Sequence, residues 1–144
     1  TVHDVLTIAS LVEKEGSTDQ DRKNIASVFY NRLNQNMPLQ SNIAILYAQG
    51  KLGQKTTLSE DAAIDTNIDS PYNVYKNTGL MPGPVDNPSL SAIEATVNPV
   101  KTDYLYFVAN TETGKVYFAT TYAEHEKNVQ EHVNSKLTKP SSSN

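Results

Sequence analysis

Apolar residues recur with helical spacing over the first quarter of the chain. From Val2 to Glu15 they leave only a narrow polar strip, which predicts a largely buried helix. Gly16 follows directly and is placed to end this helix in a left-handed cap. Residues 17–20, Ser-Thr-Asp-Gln, resemble a capping box that opens a second helix. The helical spacing then continues through four apolar residues, Ile25, Val28, Phe29 and Leu33.

The middle of the chain is rich in residues that begin and end helices. Residues 42–49 and 57–64 each predict a short helix, the second opened by a capping box. Residues 70–86 hold three prolines and two glycines and predict a long ordered loop. Loops of that length in compact domains tend to be functional. The pair Asn87-Pro88 supplies an N-cap residue and an N1 proline, which predicts a helix that ends before Pro99.

Two segments near the end of the chain are rich in β-branched and aromatic residues. They are residues 104–109 and 116–119, and the five residues 110–114 between them predict a hairpin turn. Residues 121–124 resemble a capping box, which opens a last amphipathic helix to about Leu137. The sum is an α+β domain, mostly helical, with one small antiparallel sheet.

Composition excludes several classes of protein. The 144 residues, of 15.8 kDa, are the length of one domain, which we expect over residues 1–139 with a disordered tail at 140–144. The net charge of -4 and the absence of a dense basic patch argue against a nucleic-acid binder. There is no cysteine, and no apolar run approaches the roughly 20 residues of a membrane span. The start at Thr1 rather than Met suggests a piece of a longer protein, with any signal peptide or anchor upstream.

Two carboxylates end the first predicted helix. Glu13 and Glu15 flank its apolar stripe from opposite sides, whereas Lys14 points to solvent. The negative end of the helix dipole and nearby apolar side chains both favour the protonated form, which a general acid requires. The alternative is that both are rim residues paired with Lys or Arg, and the helical wheel does not choose between the two glutamates.

The histidines give no metal-site signal. His125 and His132 lie seven residues apart on one predicted helix without a third ligand, and with His3 they are interpreted as surface residues. We expect His125 to anchor the last helix near the hairpin rather than to contact substrate, and no metal or other cofactor is implied. Ser10 lies inside the first helix and is a poor candidate nucleophile.

Aromatic and amide side chains concentrate in the proline-rich loop. Tyr72 and Tyr75 lie there beside Asn73 and Asn77. Aromatic faces and side-chain amides suit sugars, which present apolar C–H faces and many hydroxyls. The alternative is that these tyrosines pack the loop onto the core.

Several segments together resemble the catalytic domain of the YceG-like endolytic murein transglycosylases, the MltG family. The resemblance covers about residues 5–133, and its motifs follow in family order: IASLVEKE at 8–15, IASVFYNRL at 25–33, MPLQSN at 37–42, SPYNVY at 70–75, GLMPGP at 79–84 and KTDYLYFV at 101–108, then Phe118, Thr120 and His125. It implies a lysozyme-like catalytic fold. Two departures stand out: the family usually has Asp-Pro where this chain has Asn42-Ile43, and often His where it has Val116.

The resemblance implies a site and a reaction. Glu15 aligns with the catalytic glutamate, and the expected substrate-binding residues are Gln40, Ser41, Asn42, Tyr72, Asn73 and Tyr75. Glu15 would protonate the glycosidic oxygen between MurNAc and GlcNAc. It would then take the proton of the MurNAc C6 hydroxyl, which attacks C1 and closes a 1,6-anhydro ring. We expect Gln40, Tyr72 and Asn73 to line a groove near Glu15, with Tyr75 the weaker candidate.

The sequence therefore predicts a lytic transglycosylase that cleaves within peptidoglycan glycan strands. The alternatives are a lysozyme-type hydrolase and a non-catalytic glycan-binding module that uses the same groove. The family implies a place outside the bacterial cytoplasmic membrane, held by an upstream anchor, and penicillin-binding proteins of the elongation machinery as partners. Neither nucleic acid nor direct membrane contact by these residues is implied.

Overall fold

The chain forms a mostly helical α+β domain with a two-stranded sheet. The computed structural model describes residues 1–50, 65–110 and 112–134. Its elements, in chain order, are α1 (Val2–Glu15), α2 (Asp19–Asn34), α3 (Asn42–Ala48), α4 (Leu90–Val97), β1 (Tyr106–Ala109), β2 (Val116–Ala119) and α5 (Tyr122–Val129), which continues as a π-helical segment over Gln130–Asn134. The predicted fold class is confirmed.

Helix α1 is the centre of the hydrophobic core. Its residues 7–12 are all buried, and α2 and α4 pack against it. The apolar side chains of the core come from α1 to α4, the segment before α3, the loop between α3 and α4, and β2. The small residues Ala92 and Ala95 are among the buried positions of α4, which packs against α1 and α2. Burying the central part of α1 leaves its two ends to meet the loops.

The sheet is a single antiparallel hairpin packed against α2. Phe107 of β1 pairs with Phe118 of β2, and the ring of Phe107 contacts that of Phe29 edge-on, with centroids 5.7 Å apart. The segment that enters β1 is held to α2 by the Asn31 side chain, which donates to the carbonyls of Thr102 and Tyr104 at 2.9 and 2.8 Å. The hairpin therefore has a fixed position relative to α2.

The loop at residues 70–86 is held against α1, as its predicted order requires. His3 Nε2 donates to the Pro82 carbonyl at 2.7 Å. The Ser10 hydroxyl, buried within α1, accepts a hydrogen bond from the Val85 N–H at 3.1 Å and donates to the Thr7 carbonyl. Ser10 thus has a structural role in seating the loop.

The backbone differs from the sequence prediction at Gly16. This residue is extended, with φ -126° and ψ 151°, so it does not form the predicted left-handed cap. The reason for glycine is space, because a Cβ there would stand 2.8 Å from Ile25 Cδ1, well inside the roughly 3.5–4.0 Å at which carbon atoms pack. The chain can therefore turn from α1 into α2 directly over the core.

Two predicted N-caps are displaced along the chain. Thr18, not Ser17, caps α2 by accepting from the Asp21 N–H, and Ser89, not Asn87, caps α4 by accepting from the Ala92 N–H. The capping box of α5, Thr121 with Glu124, is confirmed. The predicted helix at 57–64, the predicted tail and the last residues of the final helix lie outside the described residues.

Asp86 lies near the end of α1 as a buried carboxylate. Within the described part of the chain, neither of its oxygens has a hydrogen-bond partner. Burial raises the pKa of Asp86 to about 6; nearby Lys14 opposes this increase, and the negative charge of Glu13 adds to it. The folded state therefore binds this proton more tightly than the unfolded chain does.

The replacement Asp86→Asn should stabilise the domain in a pH-dependent way. Because the folded-state pKa is raised, the native protein loses stability as the pH rises from about 4 through about 6. The uncharged amide removes that loss, so the gain in Tm should be clear at pH 8 and small at pH 5. Thermal unfolding of both proteins across this range measures it. An equal gain at both pH values would contradict the assignment.

Candidate functional site

A groove runs between the helical core and the hairpin, with a cavity volume of about 530 Å³. This volume is in the range of ligand pockets, roughly 300–1,000 Å³. Its lining comes from the end of α1, α2, the segment around α3, the loop at 70–86, both strands and α5: Lys14, Glu15, Val28, Phe29, Arg32, Leu39, Gln40, Asn42, Ile43, Leu46, Tyr75, Tyr106, Phe107, Val108, Ala109, Val116, Tyr122 and His125.

Glu15 is the last residue of α1 and is half-buried in the wall of this groove. The Ser41 hydroxyl donates to Glu15 Oε2 at 3.1 Å. Ser41 is 2% exposed and also caps α3, accepting from the Ile43 N–H at 3.2 Å. The start of one helix therefore orients the carboxylate at the end of another.

Tyr75 and Asn42 form a second pair beside the carboxylate. The Tyr75 hydroxyl donates to Asn42 Oδ1. Burial, and next the negative charge of Glu15, raise the pKa of Tyr75, so that its phenol stays protonated at neutral pH. Asn42 can therefore accept this hydrogen bond, although it lacks the charge of the Asp that is usual at this position in the family described above.

Glu13 faces the other way and is used in packing. Its Oε1 accepts from the Ser89 N–H at 2.8 Å, and Oε2 lies 3.5 Å from Arg22 Nη2. The hydrogen bonds from Ser89, and more weakly the charges of Arg22 and Lys14, lower the pKa of Glu13. The sequence-based expectation of a raised pKa is therefore wrong for Glu13. Its carboxylate is stabilised by the N-cap residue of α4, Ser89, and by Arg22.

Arg32 is a buried cation at the floor of the groove, with 6% of its surface exposed. Its Nε donates to the Leu105 carbonyl at 2.6 Å, and Nη1 donates to the carbonyl of Pro38 at 2.8 Å. Nη1 also contacts Leu39 O and Gln40 Oε1, both at 3.3 Å. The side chain thereby joins α2 to the segment before α3 and to the entry of β1.

Three aromatic rings from β1 and α5 lie together in the groove lining. Tyr106 of β1 lies 5.2 Å from the His125 ring, stacked upon it, and meets the Tyr122 ring edge-on at 5.7 Å. His125 was interpreted as a surface residue, but it is half-buried and lines the groove. Its stacking on β1 agrees with the predicted anchoring of the last helix. Sequence reasoning missed Tyr106 and Tyr122, although their residue type was a usable signal.

A protein-family model described as the YceG-like family matches residues 1–131. The chain belongs to the YceG-like family.

Sequence relatives and a solved structure agree with this assignment. Proteins named endolytic murein transglycosylase from Streptococcus pneumoniae (serotype 2) and Bacillus subtilis (strain 168) are 72% and 49% identical to it, covering 95% and 96% of the chain. A crystal structure of a YceG-like protein from Listeria monocytogenes shows 52% identity and a TM-score of 0.77, with 88% of this chain and 39% of that chain covered. The chain spans 25% and 37% of the length of the two named transglycosylases.

Among the six expected substrate-binding residues of this YceG-like domain, the groove lining includes Gln40, Asn42 and Tyr75, while Ser41 is outside the lining and donates to Glu15. The backbone of Gln40 is left-handed, with φ 57°, and its N–H donates to the Val74 carbonyl at 3.0 Å. A loop residue is thereby fixed at the groove edge. Tyr75, the weaker candidate from the sequence, lines the groove with Glu15, and the charge of Glu15 acts on its hydroxyl.

The structure corrects the expected placement of Asn73 and Tyr72. Asn73 is fully buried; its amide donates to the carbonyls of Thr66 and Ile68, and its Oδ1 accepts from the Tyr75 N–H at 3.0 Å. The Tyr72 ring lies 4.8 Å from that of Tyr47. Neither residue is part of the groove lining, because the loop uses one side chain to close itself and the other to pack on α3.

The replacement Asn73→Ala should therefore affect stability first. It leaves several loop carbonyls and N–H groups without their partner, and each buried unsatisfied group costs about 1–3 kcal/mol. We expect a loss of about 2–4 kcal/mol in the free energy of unfolding, measured by urea titration. Asn77→Ala is the control, since Asn77 is exposed and makes two long bonds, to Ser70 O and Asn73 O at 3.2 and 3.1 Å. Equal stability of the two variants would contradict the structural role of Asn73.

Proposed function

We propose that this domain is the catalytic part of an endolytic murein transglycosylase, and that Glu15 cleaves the MurNAc–GlcNAc bond within glycan strands. The observation that carries the proposal is one carboxylic acid in the wall of a groove. Among the described lining residues, Glu15 is the one Asp or Glu. The names of the relatives from Streptococcus pneumoniae and Bacillus subtilis support the same activity.

The single carboxylate favours a non-hydrolytic reaction. Most glycoside hydrolases use two carboxyl groups, one as acid and one as nucleophile or base for water. In the proposed reaction Glu15 donates its proton to the glycosidic oxygen, and the C–O bond at MurNAc C1 breaks. The resulting carboxylate then accepts the proton of the MurNAc C6 hydroxyl, whose oxygen bonds to C1. The products are a GlcNAc end and a 1,6-anhydroMurNAc end, and Glu15 is protonated again.

Ser41 and Tyr75 prepare Glu15 for both halves of this reaction. The Ser41 hydroxyl donates a hydrogen bond to Glu15 Oε2 at 3.1 Å, which fixes the direction of the carboxyl group. Tyr75 keeps its own proton and binds Asn42, so that the pair adds hydrogen-bonding capacity next to the acid without adding a second negative charge. Precise placement of a catalytic group is worth several orders of magnitude in rate.

The apolar part of the lining serves the choice between transfer and hydrolysis. Val28, Phe29, Leu39 and Ile43 line the same groove as Glu15. With substrate in place, such a lining leaves little room for water, which would otherwise compete with the C6 hydroxyl. This is the physical requirement for an anhydro product.

The proposed substrate implies a location, and membership of the family suggests an anchor and partners. Peptidoglycan lies outside the cytoplasmic membrane, so the domain would act there, held by an anchor elsewhere in the parent protein, with penicillin-binding proteins of the elongation machinery as partners. None of the helices in the described ranges has the length and hydrophobicity of a membrane span.

The replacement Glu15→Gln should abolish cleavage of purified peptidoglycan while the domain stays folded. Removing one proton-transfer group costs about 10²–10⁴-fold, and here the same group is both acid and base, so the loss should exceed that range. Glu13→Gln is the matched control on the same helix end. Its amide oxygen can still accept from the Ser89 N–H, so it should retain most of the activity with a small loss of stability.

Mass spectrometry of the digest distinguishes the possible activities. Anhydro ends support the proposal, reducing ends indicate a lysozyme-type hydrolase, and intact strands indicate a binding module. Loss of activity in Glu13→Gln with retention in Glu15→Gln would reverse the assignment of the catalytic carboxylate.

Activity should survive dialysis against a strong chelator. Protonation of the leaving oxygen does the work that a Lewis acid does in metal-dependent hydrolysis. Product formation before and after dialysis, with a metal-dependent enzyme treated in parallel, measures this. Loss on chelation and recovery with one divalent ion would contradict the mechanism.

A further inference from the structure

The groove contains an aromatic cluster that the proposed chemistry does not use. We define the aromatic wall as Tyr106, Tyr122 and His125, which come from β1 and α5 and all line the cavity. Tyr122 is 58% exposed although it belongs to the lining. The exposed ring, set in a concave surface beside two other rings, offers an apolar face that a ligand in the groove can cover.

The aromatic wall is held rigidly from below. The Arg32 guanidinium lies over the Tyr106 ring, 5.1 Å from its centroid, and Arg32 is itself fixed by carbonyls of the segments before α3 and β1. Tyr122 is the first residue of α5, next to the capping box that sets the helix start. The Tyr106 side chain and the backbone at Tyr122 are therefore in place before a ligand binds, which lowers the cost of ordering them on binding.

His125 gives the aromatic wall a polar group. It lies one turn after Tyr122 on α5, and its Nδ1 is buried without a hydrogen-bond partner in the described residues. Burial, and next the charge of Arg32, lower the pKa of His125, so its ring is neutral at pH 7. A neutral imidazole has one donor and one acceptor, which matches the hydroxyl and acetamido groups of a sugar better than a charged group does.

We propose that the aromatic wall is a saccharide subsite of the groove, with one pyranose ring of the glycan strand stacking on Tyr122 and hydrogen-bonding to His125. This inference rests on the proposed function for the identity of the ligand. An amphipathic ring with apolar C–H faces and equatorial hydroxyls fits aromatic faces beside a neutral imidazole. A subsite built from β1 and α5 in the same groove as Glu15 would add a contact to the strand beside those made at the end of α1.

The test measures binding without cleavage. Glu15→Gln protein is titrated with a fluorescent octasaccharide of alternating GlcNAc and MurNAc, and the same titration is made with Tyr122→Ala added. The exposed position of Tyr122 means that its removal should leave folding intact. We expect the Kd to rise about tenfold, the equivalent of one well-placed aromatic contact. Tyr122→Phe should bind like the parent, because it keeps the ring.

Tyr117→Ala is the matched control. Tyr117 belongs to the same hairpin and stacks on His132 of the last helical segment at 3.8 Å, but it is outside the groove lining. It should leave the octasaccharide Kd unchanged. In active protein, Tyr122→Ala should raise KM while kcat stays within about twofold, since Glu15 and its partners are untouched.

The outcomes are distinguishable. An unchanged Kd in Tyr122→Ala, or an equal loss in Tyr122→Ala and Tyr117→Ala, overturns the subsite while the proposed function stands. Failure of the Glu15→Gln parent itself to bind the octasaccharide overturns the subsite together with the proposed function.

Discussion

The burial of α1 between α2 and α4 is the constraint on which the rest of the structure depends. Because residues 7–12 are all buried, the end of the helix has a fixed position, and its two glutamates must leave in different directions. Glu13 meets Ser89 and Arg22 and holds the helices together, while Glu15 meets Ser41 and the groove. Gly16 allows the chain to turn away at once, over Ile25, without covering Glu15.

Polar side chains, rather than additional secondary structure, shape the groove around that helix end. Arg32 joins three segments through carbonyl groups, Asn31 holds the strand entry, and Asn73 closes the loop from which Tyr75 extends. Each of these side chains is at least half-buried and donates to main-chain oxygens, so its loss would leave acceptors without partners. The groove is therefore largely preorganised, which the proposed catalysis by Glu15 would use.

Much of the fold could be predicted from the sequence because its signals are local. Helical spacing gave the bounds of α1, and the Thr121 capping box and the two aromatic segments predicted α5 and the hairpin. The signal failed where the decisive contact is distant in sequence. The conformation of Gly16 depends on Ile25, the burial of Asn73 on the path of its loop, and the raised pKa of Asp86 on the packing around the end of α1.

The site could be predicted only in part, because several of its contacts join residues that are distant in sequence. The wheel placed both glutamates at the edge of the apolar stripe, but only the tertiary partners Ser89 and Ser41 distinguish them. Tyr106, Tyr122 and His125 come together from separate elements, and no spacing along the chain joins them. For His125, the sequence predicted that it anchors the last helix near the hairpin. It did not predict that His125 lines the groove.

The most direct test of the account is a crystal structure of the Glu15→Gln protein with a bound peptidoglycan oligosaccharide. We expect a strand along the groove, with the oxygen of one MurNAc–GlcNAc bond within hydrogen-bond reach, about 2.6–3.2 Å, of the residue 15 side chain. The C6 hydroxyl of the same MurNAc should lie on the side of that amide. A strand bound elsewhere on the domain, or with its glycosidic oxygen nearer Glu13, would contradict it.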